Sequence, residues 1–126
     1  MATIKYKGTV VFEKKFKKFE RKWRTLSADL EIAKKNAIEL YHLNKIDNHS
    51  VFLIPDFCSE EIQIVKIKKF ACKSLKGRGV QSGIRIIYAF FPKTQEVEFI
   101  DIYFKADQEN EDRQRIKEYL KEMEVK

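Results

Sequence analysis

The feature that most constrains the fold is the run of side chains from Ile84 to Phe91. Its residues alternate between two faces, as in a β-strand, and all but Arg85 are apolar or aromatic. The turn PKTQE follows, and the pattern then predicts another strand from Val97 to Lys105. Because the turn between them is short, we expect these two strands to pair as an antiparallel hairpin.

Two amphipathic helices are predicted before this hairpin. Large apolar residues recur at spacings of four and three and form the stripe of the first helix, which consists of Phe12, Phe16, Phe19, Trp23 and Leu26. Such aromatic rings could stack on nucleic-acid bases, but their position on one face favours packing in the core. Ser27 is a plausible N-cap of the second helix, whose stripe runs from Leu30 to Asn44. The short turn between the helices predicts an antiparallel helical hairpin.

Shorter elements complete the predicted fold. The first twelve residues resemble a short strand or an extended lead-in, and Val51 to Ile54 form an edge segment or a tucked loop. A strand begins at Ile62, with a bulge or strong twist near Val65, and a helical pattern begins at Gln108.

Together these elements predict one α+β domain over residues 1–126. Its N-terminal helical hairpin packs on a small antiparallel sheet, and a C-terminal helix follows. The helices are expected to cover one face of the sheet. The other face would be partly open and would carry much of the basic segment.

Composition excludes several classes of protein. A chain of 126 residues can bury a core without a metal or disulfide, and no apolar run approaches the length of a membrane span. Cys58 and Cys72 are the only cysteines, which predicts free thiols and a cytoplasmic location. With His42 and His49 they are too scattered for a zinc site. No nucleotide-binding loop or serine-hydrolase motif is present, so the sequence predicts no metal and no cofactor.

The positive charge is segregated along the chain, which has a net charge of +7. Between Ile62 and Gln95 there are eight lysines or arginines and no acid. From Lys5 to Arg24 there are nine basic residues against two acids, whereas the segment from Asp107 to Glu124 holds seven acids and four basic residues. Such a balance favours an anionic partner, namely a nucleic acid, a ribosome or an acidic protein.

The sequence KGRGVQSGIRIIY, from Lys76 to Tyr88, places cations on a glycine-containing loop and on the strand that follows. Cations fixed in this way can stabilise the charge that grows on a phosphate during RNA cleavage. A lysine crowded by other cations could also transfer protons, and crowding is expected among Lys76, Arg78 and Arg85. From these residues alone, a passive phosphate-binding or protein-binding patch is the favoured interpretation.

This segment resembles the central segment of the RelE/ParE superfamily of bacterial toxins, in which two lysines separated by one residue precede an SGxRLVY-like strand. Lys76 and Arg78 stand at the positions of the two catalytic lysines of the RelE messenger-RNA interferases. Arg85 matches the strand arginine, and Tyr88 closes the motif. The next strand, EFIDIYFK, resembles the family's last strand and ends at Lys105.

The resemblance implies a toxin of a type II toxin–antitoxin pair that cleaves messenger RNA on the ribosome. It implies a cognate antitoxin, the ribosome and messenger RNA as partners. Lys76, Arg78 and Arg85 would be catalytic, with Glu109 as an acid–base candidate. The predicted RNA-binding residues are Lys73, Tyr88, Lys105 and Arg113.

The chain departs from the family pattern after its last strand. Ala106 stands where RelE proper has a catalytic arginine, and the C-terminal tyrosine of the family has no clear equivalent. Asp107, Glu109 or Glu111 could supply the acid–base group in place of the missing residues, although an acidic start of a helix is the favoured interpretation of this stretch. Two alternatives therefore stay open. One is a non-catalytic ParE-like toxin that binds a protein such as DNA gyrase, and the other is a general nucleic-acid-binding module.

Overall fold

The fold is organised by one five-stranded sheet. The structure is a computed structural model that describes residues 3–125, and its strands occur in the order β1–β5–β4–β3–β2. The strands are β1 (Lys5–Gly8), β2 (Val51–Leu53), β3 (Gln63–Ile67), β4 (Ile84–Phe91) and β5 (Glu96–Phe104). The predicted β4–β5 hairpin is confirmed, and the apolar run after residue 50 is an edge strand.

The sheet is mixed, so the prediction of a purely antiparallel sheet is wrong. Four strands are antiparallel, but β1 lies parallel to β5. In that register Lys5 is opposite Glu96 and Lys7 is opposite Glu98, and such opposite charges favour cross-strand pairing. The N-terminal segment thereby covers part of the outer edge of β5, which would otherwise leave backbone groups unpaired.

The helices are α1 (Val10–Lys22), α2 (Leu26–Ala33), α3 (Leu40–His42) and α4 (Arg113–Val125). A π-helical segment, Lys34–Glu39, joins α2 to α3, and a 3₁₀ turn spans Pro55–Phe57. Thr9 caps α1, because its side-chain oxygen accepts a hydrogen bond from the backbone of Phe12.

Ser27 is not an N-cap. It lies inside α2, which begins one residue earlier, and its hydroxyl donates a hydrogen bond to Glu20. The last helix also begins later than predicted, at Arg113 rather than near Gln108. Asp112 accepts a hydrogen bond from the backbone N–H of Arg115 and caps the first turn of α4.

Helices cover both faces of the sheet, which corrects the expectation of one open face. On one face, α1 and α2 bury a core that includes Phe12, Trp23 and Leu26, as the core interpretation of the aromatic stripe predicted. On the other face, Ile116 and Tyr119 of α4 pack against the sheet. The physical reason is visible in β4, where almost every residue of both faces is apolar.

The same two-sided burial explains the irregular pattern near Val65. Ile64 packs in the core beneath α4, whereas Val65 and Ile67 pack beneath α1 and α2, and β3 pairs with β4 without interruption. The predicted bulge is therefore not in β3. The register shift lies in the hairpin instead, where β4 changes its pairing with β5 between Ile87 and Tyr88.

Candidate polyanion-binding groove

An open groove of about 650 Å³ lies where β4 begins and β5 ends. Cations from four segments of the chain line this cationic groove, and they are Lys68, Lys69, Arg78, Arg85 and Lys105. The rings of Phe52 and Phe104 also line it. The basic segment and the end of the hairpin thus meet at one surface.

Strand β4 and the backbone of the preceding segment position Arg85. The side chain is half-buried, and its Nη1 donates hydrogen bonds to the carbonyl oxygens of Lys68 at 2.8 Å and of Ile84 at 3.4 Å. Both partners are neutral, so the guanidinium keeps its full positive charge for a ligand. Its geometry is fixed by bonds that do not neutralise it.

Arg78 reaches the groove from the basic loop, where its guanidinium lies 5.9 Å from the centre of the Phe104 ring. Gly83 permits this close packing. Its φ is +87°, and a Cβ added there would lie 3.0 Å from a carbon of the Phe104 ring. The backbone carbonyl of Gly83 accepts a hydrogen bond of 2.8 Å from the N–H of Lys105, which ties the start of β4 to the end of β5.

A buried polar network holds the basic loop against the helices. The hydroxyl of Thr25 donates to Asp29 at 2.7 Å and accepts from the backbone N–H of Ser74 at 2.9 Å. Asp29 also accepts from the backbone N–H of Lys73 at 3.2 Å. Burial raises the pKa of the neighbouring Cys72 thiol, and a hydrogen bond to Asp29 adds to that effect. The loop that presents Arg78 is therefore anchored at its first half.

None of the five groove cations forms an ion pair within residues 3–123, whose side chains the structure describes. The groove lining in that range also includes no carboxylate and no imidazole. Unpaired cations on low-dielectric protein walls produce a positive potential that attracts polyanions. The arginines can hold a phosphate through paired N–H donors, and the lysines can act as mobile point charges.

The structure brings together three of the predicted residues, Arg78, Arg85 and Lys105, but not the others. Lys73 and Lys76 are exposed on the loop and lie outside the lining of the groove. The predicted crowding of Lys76 against the two arginines stays a prediction.

Tyr88 is fully buried and cannot contact RNA, so its predicted binding role is wrong. Its hydroxyl lies 2.8 Å from Nε2 of His42, and the His42 ring stacks on Phe90. Burial, with a smaller contribution from the charge of Lys45, lowers the pKa of His42 to about 4. Tyr88 is therefore a core residue, because it points to the face of β4 that α1 and α2 cover.

Arg113, a predicted RNA-binding residue, forms ion pairs with two acids. It pairs with Asp56 at 2.6 Å and with Glu111 at 3.8 Å. Glu111 also accepts a hydrogen bond of 2.5 Å from Nζ of Lys66. Burial alone would raise the pKa of Glu111, but the bond from Lys66 and the charges of Lys66 and Arg113 lower it overall.

The acid–base candidate Glu109 is exposed and lies outside the groove lining. The charge of Glu111, another acid of that segment, acts on Tyr103, the cross-strand neighbour of Arg85. Burial and the charge of Glu111 raise the pKa of Tyr103 to about 12, so this phenol stays protonated near neutral pH.

Sequence reasoning missed Lys68, Lys69 and Phe52. The two lysines lie inside the acid-free window, but nothing in their local pattern separates them from its other cations. Phe52 enters the groove because β2 pairs with β3, and Nζ of Lys68 lies 4.5 Å from the centre of its ring. Only the strand order predicts that contact.

Within the described range, no cluster of three metal-ligating side chains occurs. No described helix combines the length and the apolar character that a membrane crossing requires. Comparison of the chain with protein-family models, with curated proteins and with solved structures gave no match.

Proposed function

We propose that this chain is a RelE-like toxin of a type II toxin–antitoxin pair and that it cleaves messenger RNA on the ribosome. The observation that carries the proposal is the cationic groove, in which Arg78 and Arg85 meet Lys105 and whose described lining includes no acid. Arg78 and Arg85 hold positions that the sequence resemblance assigns to RNA cleavage, and Lys105 holds one that it assigns to RNA binding. The RelE-like arrangement, with its N-terminal helical hairpin, is part of the proposal.

The reaction would be an attack of the ribose 2′-oxygen on the adjacent phosphorus. The bond to the 5′-oxygen breaks, which leaves a 2′,3′-cyclic phosphate and a 5′-hydroxyl. Negative charge grows on the non-bridging phosphate oxygens in the transition state, and Arg78 and Arg85 are placed to stabilise it. Donors fixed before the reaction are effective here because they need no reorganisation.

The same reaction removes a proton from the 2′-hydroxyl and adds one to the leaving 5′-oxygen. An arginine does not exchange protons in proteins, and the groove lining holds no carboxylate or imidazole. We therefore assign proton transfer to the groove lysines, Lys68, Lys69 and Lys105. Glu109 has no part in this mechanism, because it lies outside the groove.

The cellular setting belongs to the same proposal. A cognate antitoxin with an acidic or amphipathic segment would cover the groove and keep the toxin inactive. The toxin would act in the cytoplasm, where ribosomes are, and the groove chemistry requires neither a metal nor a cofactor.

The test is a translating extract in which the 5′ ends of messenger RNA are mapped after the protein is added. We expect cuts in phase with codons, and we expect them to disappear with Arg85→Ala and with Arg78→Ala. Lys93→Ala is the matched control, because Lys93 is an exposed cation in the turn at the other end of the hairpin. Intact messenger RNA with the unaltered protein would refute the proposed activity.

One observation favours a second candidate function. Ala106 lines the groove at the position where RelE proper has a catalytic arginine. A ParE-like toxin that binds DNA gyrase and cuts no RNA would tolerate this loss. Broken DNA in a gyrase assay, together with intact messenger RNA, would support that alternative. Salt-sensitive binding of nucleic acid without either effect would indicate a general nucleic-acid-binding module.

A further inference from the structure

A second cationic surface lies at the carboxyl end of α1. Lys17, Arg21 and Arg24 line a shallow cleft of about 450 Å³ there. The cleft also includes Glu20, but that carboxylate accepts a hydrogen bond from the hydroxyl of Ser27. The three cations are exposed and form no ion pair within the described range.

This surface adjoins the cationic groove through Phe104. Nζ of Lys22, in the last turn of α1, lies 5.8 Å from the centre of the Phe104 ring, and the guanidinium of Arg78 lies 5.9 Å from the same centre. Trp23 packs edge-on against that ring, with centroids 5.0 Å apart. The end of α1 is thus fixed against one wall of the groove by Lys22 and Trp23, which lie in the chain between Arg21 and Arg24 of the cleft.

Other cations near α1 and β1 are used differently. Lys15 pairs with the buried Asp101 at 2.5 Å, and Lys34 pairs with Glu31 at 2.6 Å. Lys17, Arg21 and Arg24 therefore differ from these neighbours in forming no ion pair within the described range, although Glu20 lies in the same cleft. Basic residues in the last turn of a helix also interact favourably with the helix dipole. That interaction explains cations at the end of α1, but it does not explain why they line a cleft.

We propose that the carboxyl end of α1 is a second binding segment for the RNA strand that occupies the cationic groove. This inference rests on the proposed function, because it needs RNA in the groove. A strand that fills the groove and passes the Phe104 ring meets the charges of Lys22, Arg21 and Arg24 next. The ligand is single-stranded RNA longer than the groove, held through its phosphates.

The geometry disfavours a membrane surface as the ligand. An amphipathic helix binds a bilayer by inserting its apolar face. The apolar stripe of α1 is buried, since Phe12, Phe16 and Trp23 are each less than a tenth exposed. Val10 and Val11 are exposed, but they lie at the start of the helix, and the cleft at its carboxyl end is lined by charged side chains.

The test compares two lengths of oligouridine, three and twelve nucleotides, by fluorescence anisotropy. Both carry 2′-O-methyl groups so that they cannot be cleaved through the 2′-oxygen. The double variant Arg21→Ala, Arg24→Ala removes the new segment, and Arg85→Ala alters the groove. The double variant Lys117→Ala, Lys121→Ala of α4 is the matched control, because it removes the same charge from another exposed helix.

We expect the Arg21, Arg24 variant to bind the longer RNA at least several-fold more weakly than the α4 control does. The slope of log K against log salt should flatten by about 0.7 for each phosphate that the variant no longer neutralises. The trinucleotide should bind this variant as well as it binds the control, whereas Arg85→Ala should weaken both lengths.

Equal binding of the longer RNA by the α1 and α4 variants would overturn the inference, while weaker binding with Arg85→Ala would leave the groove assignment intact. If Arg85→Ala binds both RNAs as well as the unaltered protein does, the groove does not hold RNA, and the proposed function and this inference fail together. If the unaltered protein binds neither RNA, or binds anionic vesicles in their place, both fail.

Discussion

Two neighbouring regions of this molecule carry the same types of cation but differ in their acids. The cationic groove holds Lys68, Lys69, Arg78, Arg85 and Lys105 without an ion pair in the described range. The second region, which we call the Glu111 patch, consists of Lys66, Glu111, Arg113 and Asp56, and each of its cations pairs with at least one acid. Tyr103 lies between the two regions, and its pKa is raised by the charge of Glu111 and lowered by the charge of Arg85.

The difference shows that the availability of a cation depends on its neighbours rather than on its position in a basic stretch. Lys66 belongs to the same acid-free window of sequence as Arg85, but the segment after β5 brings Glu111 to it. The side chains of Lys66 and Glu111 are largely shielded from solvent, 14% and 13% exposed, so their charges attract each other and stabilise the fold. The groove cations have no such partner in the described range, so their charges remain available to a ligand.

The largest expected difference between the two regions is tested by removing Arg85 and Arg113 in separate variants. Under the proposed function, Arg85→Ala removes a fixed cation from the transition state and should lower the rate of messenger-RNA cleavage by about 100- to 1000-fold. Arg113→Ala should change that rate less than about twofold, because its charge is already compensated by Asp56 and Glu111. Primer extension in the translating extract measures both rates. Similar losses in the two variants would show that ion pairing does not separate the regions.

Gly83→Ala tests how the groove wall is built. The residue has a positive φ, and the new Cβ would lie 3.0 Å from the Phe104 ring, so we expect a loss of about 2–3 kcal/mol in the free energy of unfolding. Gly77→Ala is the matched control, since Gly77 also has a positive φ but no atom lies within 4 Å of the added Cβ. Its expected loss is about 1–2 kcal/mol. Equal losses in urea unfolding would mean that the Phe104 ring does not constrain Gly83.

Glu111→Gln tests the stabilising role of the Glu111 patch. The pKa of Glu111 is lowered in the folded state, so its carboxylate contributes stability above its unfolded pKa. That contribution is lost as the pH falls through the folded pKa. We expect the variant to be about 1.5–2 kcal/mol less stable at pH 7, because a hydrogen bond to a charged group is removed, and the difference should disappear in acid.

Denaturant unfolding across this pH range measures the effect. Glu109→Gln is the control for Glu111, because it makes the same chemical change two residues away at an exposed side chain. A difference between Glu111→Gln and the unaltered protein that persists at acid pH would place its origin in packing rather than in charge.

Much of the fold follows from local sequence patterns. The β4–β5 hairpin and the buried aromatic stripe of α1 were predicted because periodicity reports which residues share a face. The parallel pairing of β1 and the covering of the second face by α4 were not, since both depend on contacts between distant segments. The apolar residues Ile87 and Ala89 on the second face of β4 already indicated that something must cover them.

The candidate site was predictable where residues lie on a regular element and not where they lie on loops. Arg85 and Lys105 fall at the start of one strand and just past the end of its hairpin partner, so their proximity follows from the hairpin itself. The direction of Lys76 and the position of Glu109 depend on loops whose course local sequence does not determine. The predicted RNA-binding role of Tyr88 is wrong for a different reason. A motif shared with a family does not show which face of the strand is buried.

Asp56→Asn should have the smallest effect and addresses the comparison most directly. The Asp56–Arg113 pair is exposed, with side chains 73% and 45% accessible, so we expect its loss to change the free energy of unfolding by less than about 1 kcal/mol. Arg113 would keep only its longer ion pair with Glu111, at 3.8 Å, and its charge should become partly available. The slope of log K against log salt for long RNA should then steepen by no more than about 0.7, the value for one additional neutralised phosphate. Weaker RNA binding by this variant would contradict the idea that neighbouring carboxylates decide which cations can hold a polyanion.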